Sequence, residues 1–479
     1  MTPGDIRLLG TARLAGQRLK ALAPEAEAQG LIDAIDVVLN ELILRRDRSF
    51  FEDYLIRGAA LAGLPAPLPS ALDDKALDGA IADVTVRLEQ IVGERGGDET
   101  AETQDLLDRI VAWEDSLYAF RMTAARDDGR IADPRARFTA PAIEAYLKER
   151  QPDWTGLKVV SVSLIPGGFS KITVLLDITD DVNGHHGLAI RAEPGLKFME
   201  LEGADIAKEY PVIRLVHAAG IPVAEPLWLE TDTAHFGTRF IVSRKAAGQV
   251  HGTVREAGAS LPEATGREVA ATLAALHQVD YTRWPEHLAA SHLGRWAGIA
   301  ALPDNTRTFM TYWRERAEIH DIGPSPLIRR ALDWLARNVP TDAEGDAPVL
   351  LHGDIGLHNM LIEDGRVTAL LDWEISRIGD RAEDLTNFLS ATSGVIDRDD
   401  FIRWYREAGG REVGEYRLRY LDVFHSVKIA ICALAVLRRV EDHREASIQL
   451  AVFGLQYLHY ITSRMTGLIR AAEEIRPRA

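Results

Sequence analysis

Cysteine is almost missing: Cys432 is the single one in 479 residues. No intrachain disulfide can form and no Cys-rich zinc site can be built, which points to a reducing compartment. Long hydrophobic runs are also lacking. The most strongly apolar stretch, Ile429 to Leu437, has nine residues where a membrane span needs about twenty. The first twenty residues scatter Arg7, Arg13, Arg18 and Lys20 without the apolar centre of a signal peptide. A cytoplasmic protein with no membrane partner is therefore expected. Basic residues are in deficit, 55 Lys and Arg against 72 Asp and Glu, a net charge of −17, which disfavours nucleic acid as a partner because the phosphate backbone recruits clustered cations. What remains is an ordinary globular composition, 46% hydrophobic and 27% charged, long enough for two or three domains at about 150 residues each.

The acidity is uneven. Residues 1–130 hold 15 basic and 24 acidic side chains, net −9, and the other 349 residues account for only −8. Helical spacing recurs through the acidic part, in Ile32, Ile35, Leu39 and Leu42, in Ile81, Val84, Leu88 and Ile91, and in Leu106, Ile110, Trp113, Leu117 and Phe120. A Pro-rich break (64–69) and a polar Gly-rich one (Gly93 to Thr100) separate these stripes. The pattern predicts an all-helical accessory domain over 1–130, a bundle without visible chemistry and a candidate homodimerisation element. Asp127 to Pro134 reads as a linker.

From Phe138 the period changes to two. Alternating Val160, Val162 and Leu164 lead to Gly167-Gly168-Phe169-Ser170 and a β-rich run from Ile172 to Ile178. Asn183-Gly184 turns the chain into a third strand ending at Arg191, and a helix follows near Asp205 to Ala218. This is the start of an α+β domain, expected over 138–479.

The chemistry concentrates in Val349 to Phe388. Asp364-Gly365 joins two short apolar runs as a hairpin, so Asn359 before the first strand and Asp372 after the second converge at its open end, one loop from Asp354. Two carboxylates and an amide oxygen make a hard oxygen site suited to Mg2+, which completes its shell with water and phosphates. An Asp followed five residues later by Asn and then by a second Asp is the spacing of phosphoryl-transfer kinases.

His352-Gly353-Asp354, Asn359, Asp372 and the downstream Ile378-Gly379-Asp380 and Asp384-Leu385 resemble the aminoglycoside phosphotransferase and choline kinase-like family, with Arg381 where that family has Pro. The likeness covers about 138–470, and the C-terminal texture is closest to phosphotransferase domains associated with acyl-CoA dehydrogenases. It implies a protein-kinase-like two-lobed domain, with an N-lobe of about 138–242 and a C-lobe of about 247–479. Asp354 would be the catalytic base, and Asn359 and Asp372 the Mg2+ ligands on ATP or GTP. His352 would orient the loop, and Glu374 would either support the metal or face substrate. Gly167, Gly168 and Ser170 would cover the phosphates. Arg191, standing where many kinases have Lys, would pair with Glu209 or else be a surface strand residue. Ser243 to Ala246, including Lys245, would be the hinge that reads the base. The implied reaction is phosphoryl transfer to a small-molecule hydroxyl, with a hydroxyacyl-CoA or hydroxy acid derivative favoured. Antibiotics, amino alcohols and sugars stay open, as does a catalytically silent nucleotide-binding scaffold.

Overall fold

The computed structural model describes residues 48–65, 67, 74–95, 100–122, 137–165, 171–193, 201–250, 261–319, 325–341, 346–441 and 448–477. The stripe at Ile32 to Leu42, the linker at 127–134 and the side chains of Leu117 and Phe120 lie outside the described residues. The chain divides into two compact units. One combines residues 1–131 with 307–339 and 423–479, and the other combines 132–306 with 340–422. The first boundary coincides with the change of composition near 130. The segments 307–339 and 423–479, however, join the N-terminal helices instead of the rest of the expected 138–479 domain.

The first unit is helical. Leu77, Val84, Leu88, Ile91 and Val92 of the helix Asp74–Arg95 bury a stripe against Leu107, Ile110 and Trp113 of Ala101–Met122 and Tyr54, Leu55 and Ala59 of Arg48–Leu61. The second of these helices runs through Gly93, so the polar break begins later than the sequence suggests. What draws the later segments into this unit is partly polar. Buried Glu114 accepts hydrogen bonds from Ser325 Oγ (2.7 Å) and the Leu327 N–H (3.1 Å) at the start of Pro326–Arg337. Arg470 of Ile448–Glu474 pairs with Asp108. Glu415–Leu437 is, among the described residues, the one helical stretch long and apolar enough by length and composition to cross a membrane, and 67% of it is buried within the protein. Helical periodicity spreads its apolar residues beyond the nine-residue run, and Tyr420, Phe424, Val427 and Ile431 are fully buried.

The second unit opens with an antiparallel five-stranded sheet, β1 (Lys158–Ile165), β2 (Ile172–Asp180), β3 (Gly184–Ala192), β4 (Pro226–Glu230) and β5 (Phe240–Arg244), in the order β1-β2-β3-β5-β4. Strict alternation makes β2 bury Ile172, Val174, Leu176 and Ile178 on one face, against Ile143, Tyr146 and Leu147 of the helix Ala140–Arg150. The β2–β3 turn falls at Asn183-Gly184, where Gly184 takes φ +68° and Asp180 Oδ1 accepts the Asn183 N–H. The helix Ile206–Ala218 follows, with Asp205 as its N-cap accepting the Ala207 N–H at 2.9 Å.

Beyond β6 (Gln249–Val250) and the helix Glu263–Leu276, four short strands build the site: β7 (Val349–Leu351), β8 (Met360–Glu363), β9 (Arg366–Leu370) and β10 (Arg377–Gly379). β7 pairs with β10, and β6, β8 and β9 form a second ladder. The β8–β9 turn is at Asp364-Gly365, both at positive φ (+51° and +80°), the conformation that a two-residue hairpin requires.

Candidate active site

The loop after β7 is held by one carboxylate. Asp384, in the first turn of the helix Ala382–Ala391 and fully buried, accepts the N–H groups of His352 and Gly353, each at 2.8 Å, and lies 3.3 Å from His277 Nε2. Burial works to raise its pKa, but His277, His352 and the loop N–H outweigh this and hold the carboxyl below its ordinary range. Asn387 one turn on donates to the Gly353 carbonyl at 2.7 Å. Gly353 sits at φ +83°, and a Cβ there would lie 2.2 Å from the Ile375 carbonyl oxygen, so only glycine lets the two backbones approach. Burial keeps the His352 imidazole neutral, its pKa below the usual value. Its Nε2–H donates to the Leu371 carbonyl (2.8 Å), and Nδ1 faces the Asp354 N–H (3.3 Å). Through these contacts one ring ties the Asp354 loop to the end of β9.

The hairpin brings the other two residues in. Met360 pairs with Leu370, and the Leu371 N–H donates to the Asn359 carbonyl at 2.8 Å, so Asn359 and Asp372 leave the ladder side by side. Asn359 Nδ2 donates to Asp354 Oδ2 (3.0 Å) and to the Asp354 carbonyl (2.9 Å). Asp354 is half-buried, with His358 Nε2 3.8 Å from its Oδ2. Burial opposes charge on His358, but the Asp354 carboxylate raises its pKa above the ordinary value. Asp372 adopts φ +67°, a left-handed conformation that costs a non-glycine residue about 1–2 kcal/mol.

Three consecutive residues of this strained segment are each gripped from the first sheet or the helix after it. Arg191 Nη2 of β3 pairs with Asp372 Oδ1 at 2.5 Å and stands 3.4 Å from Glu209 Oε1. Glu209, fully buried, accepts the Trp373 N–H at 3.1 Å. Lys171, 3% exposed at the head of β2, donates to Glu374 Oε2 at 2.6 Å and to the Ala204 carbonyl at 3.1 Å. The cluster holds three carboxylates and two cations, and the excess negative charge is felt by its members. Burial and then Asp372 push Glu374 up to about 7, while Glu374 and Glu209 overcome burial to raise Lys171.

Of the residues singled out from sequence, His352, Asp354, Asn359, Asp372, Glu374, Arg191 and Glu209 thus belong to one connected set. Arg191 stands in the Glu209 and Asp372 pairs, not on an open strand surface, and Glu374 turns to Lys171. Gly167, Gly168 and Ser170 lie outside the described residues. Ser243 and Lys245 are not part of the set: Ser243 pairs with Ala189 and Pro226 in the sheet, the Lys245 N–H donates to the Gly187 carbonyl, and its ammonium pairs with Asp177 at 3.0 Å. Sequence reasoning passed over Lys171, His277 and Asn387 and gave Asp384 no role. Lys171 directly follows Gly167-Gly168-Phe169-Ser170 in the sequence, but its partner Glu374 lies 203 positions away. Arg381, the departure from the family pattern, is buried and donates to Asp346 Oδ1 at 2.7 Å, inside a network in which Arg417 also bridges Asp346 and Asp380.

The donor set fits a hard divalent cation. With both Asn359 amide hydrogens spent on Asp354, its Oδ1 accepts nothing from the described residues, and Asp372 Oδ2 is likewise left by the Arg191 pair on Oδ1. An amide oxygen and a carboxylate oxygen are the kind of donors that Mg2+ takes from a protein, with water and phosphate completing its shell.

Residues 193–426 match the model described as the phosphotransferase enzyme family. Lys171 and Arg191 precede the matched stretch, and the other members of the set fall within it. Similar curated proteins include acyl-CoA dehydrogenase family member 11 of Gallus gallus, 31% identical over 259 residues, 52% of this chain and 30% of that protein. The Homo sapiens protein of the same name is 26% identical over 261 residues, 53% of this chain and 31% of its own length. The chain therefore spans less than a third of these relatives. Among solved structures, a putative aminoglycoside phosphotransferase from Ralstonia eutropha JMP134 superposes with a TM-score of 0.53 at 22% identity, covering 70% of this chain and 98% of that one. That likeness establishes the kinase-like fold. Fold and matched region together make residues 193–426 similar to the phosphotransferase enzyme family.

Proposed function

We propose that this chain is a magnesium-dependent phosphotransferase that moves the γ-phosphoryl group of ATP or GTP to the hydroxyl of a small molecule, with a hydroxyacyl-CoA or related hydroxy acid derivative as the acceptor class. The observation that carries this reading is the convergence of Asp354, Asn359 and Asp372 at the open end of one hairpin, with Arg191 spanning Glu209 and Asp372. Asp354 takes the proton of the acceptor hydroxyl as the new oxygen–phosphorus bond forms, and the bond from the γ-phosphorus to its bridging oxygen breaks to release nucleoside diphosphate. Asn359 fixes the Asp354 carboxylate through Oδ2. Arg191 Nε is buried and has no hydrogen-bond partner among the described residues, a donor suited to a phosphate oxygen. Asn359 Oδ1 and Asp372 would hold Mg2+, which neutralises charge on the phosphates when bound. Everything else the protein contributes is positioning, achieved by the Asp384, His352 and Gly353 contacts around the loop.

The acceptor class rests on the relatives named acyl-CoA dehydrogenase family member 11. A coupled phosphotransfer screen tests it, with ATP and GTP each offered hydroxyacyl-CoAs, aminoglycosides, macrolides and amino alcohols, with and without Mg2+. Mg2+-dependent turnover of a hydroxyacyl-CoA is expected. Turnover of an antibiotic or amino alcohol alone would reassign the acceptor, and tight nucleotide binding without transfer to any acceptor would overturn the enzymatic reading in favour of a silent nucleotide-binding module.

A further inference from the structure

Lys171 is a buried charge, joined to the site through Glu374, that the proposed reaction does not use. It lies at the head of β2, immediately after residues 166–170, and its ammonium is committed to Glu374 Oε2 and the Ala204 carbonyl. Its partner is two residues beyond Asp372, whose backbone is left-handed. The neighbouring backbone leaves no slack: a Cβ on Gly203 would stand 1.8 Å from the Glu374 carbonyl oxygen, so residue 374 is pressed against the 202–204 turn whose last carbonyl Lys171 also holds. A buried ion pair of this kind contributes little net stability compared with apolar side chains of the same shape, because desolvation offsets the attraction, so its effect is on geometry.

We propose that Lys171 is a positioning residue: by clamping Glu374 to the Ala204 turn it fixes the 372–374 segment, left-handed at Asp372, and with it the Asp372 carboxylate, in the orientation that receives a divalent cation. The reading extends the proposed function, on which its metal-binding half rests. Arg191 and Glu209 hold the first two residues of the segment, and Lys171 holds the third. Without it the Glu374 side chain loses its cationic partner, and the hold on the segment beyond Trp373 is left to backbone packing and the Ser376 hydrogen bonds to the Trp373 carbonyl. Two of the three Lys171 N–H donors go to protein oxygens.

The test uses the full chain with Lys171→Met, Glu374→Gln, the double variant, and Lys171→Arg. Amide exchange of residues 372–376 in the nucleotide-free protein reads the clamp directly. Lys171→Met is expected to speed it by about tenfold or more, as loss of one charge-assisted hydrogen bond implies, and Lys171→Arg to restore part of the protection. The second readout is the factor by which Mg2+ tightens ADP binding. It is expected to drop about tenfold in Lys171→Met while the affinity for ADP without Mg2+ stays within about twofold of the parent. The double variant separates positioning from simple charge burial. It removes the unpaired carboxylate, so its melting temperature should recover, while the lost Mg2+ effect should persist because no hydrogen bond joins 171 to 374. Recovery of both together, unchanged exchange at 372–376, or loss of Mg2+-free ADP affinity in Lys171→Met would each overturn the proposal. A parent protein that binds no nucleotide would remove the phosphotransferase reading and the metal-binding half with it, leaving exchange at 372–376 to decide the clamp alone.

Discussion

Replacing Asp384 by Asn tests how the catalytic loop is held, independently of any substrate. The carboxylate receives two backbone N–H groups at 2.8 Å and faces His277 at 3.3 Å in a site with no solvent access. An asparagine of the same shape keeps one acceptor oxygen and turns an amide donor toward the second N–H or toward the imidazole. One backbone N–H of the loop is then buried without a partner, and the other loses a charged acceptor. At about 1–3 kcal/mol for an unsatisfied buried group, and about 1 kcal/mol for exchanging a charged acceptor for a neutral one, the local cost is about 2–4 kcal/mol. Hydrogen exchange of the His352 and Gly353 amides reads that cost where it arises, and about 3 kcal/mol corresponds to roughly a hundredfold faster exchange. The acid limb gives a second reading. Because the Asp384 pKa is depressed in the folded protein, its stabilisation is fully present above the ordinary Asp pKa of about 3.9 and drains away as pH falls through the lower native value. Loop protection in the parent should therefore fall steeply below about pH 4, and in Asp384→Asn that slope should be missing. Exchange at both amides within threefold of the parent, with the acid slope intact, would refute the assignment of Asp384 as the anchor of the loop (an order-of-magnitude threshold set by the roughly 1 kcal/mol scatter of such effects).

Three further outcomes follow from the same geometry. Gly353→Ala places a methyl 2.2 Å from the Ile375 carbonyl at a positive φ, so a loss of about 3 kcal/mol or more is expected, read as a lower denaturation midpoint together with lost turnover, and a variant of parental stability would contradict the close approach. Asp354→Ala should keep nucleotide affinity, measured by calorimetry, while turnover drops by about 10²–10⁴, and a fully active variant would remove Asp354 from the chemistry. Arg191→Lys keeps the charge but removes the buried Nε donor offered to phosphate, so nucleotide affinity should fall about tenfold; an unchanged value would show that Arg191 acts as a point charge only.

What could be read from the chain before its structure is what local rules decide. Asp364-Gly365 dictates a tight hairpin, a tight hairpin fixes which residues leave its open end together, and Asn359 and Asp372 follow from counting. Arg191 and Glu209 were reachable because a strand end and the first turn of the next helix are both short-range features. Lys171 was not: its partner is 203 positions away, and nothing in the alternation of β2 distinguishes a lysine that reaches solvent from one that reaches a carboxylate. His277, 107 positions from Asp384, was hidden for the same reason. The grouping of 307–339 and 423–479 with the N-terminal helices was hidden for a related cause. Composition marks the acidic N-terminal helices, but an amphipathic stripe records only that a face will be covered, and it carries no sign that Pro326–Arg337 and Ile448–Glu474 join the same unit, in part through Glu114 and Asp108. The net charge of −17 accordingly says less than its local balance. In the site two cations stand against three carboxylates, Lys171 and Arg191 against Glu209, Asp372 and Glu374, and burial together with this crowding of carboxylates is what pushes the Glu374 carboxyl up to about 7.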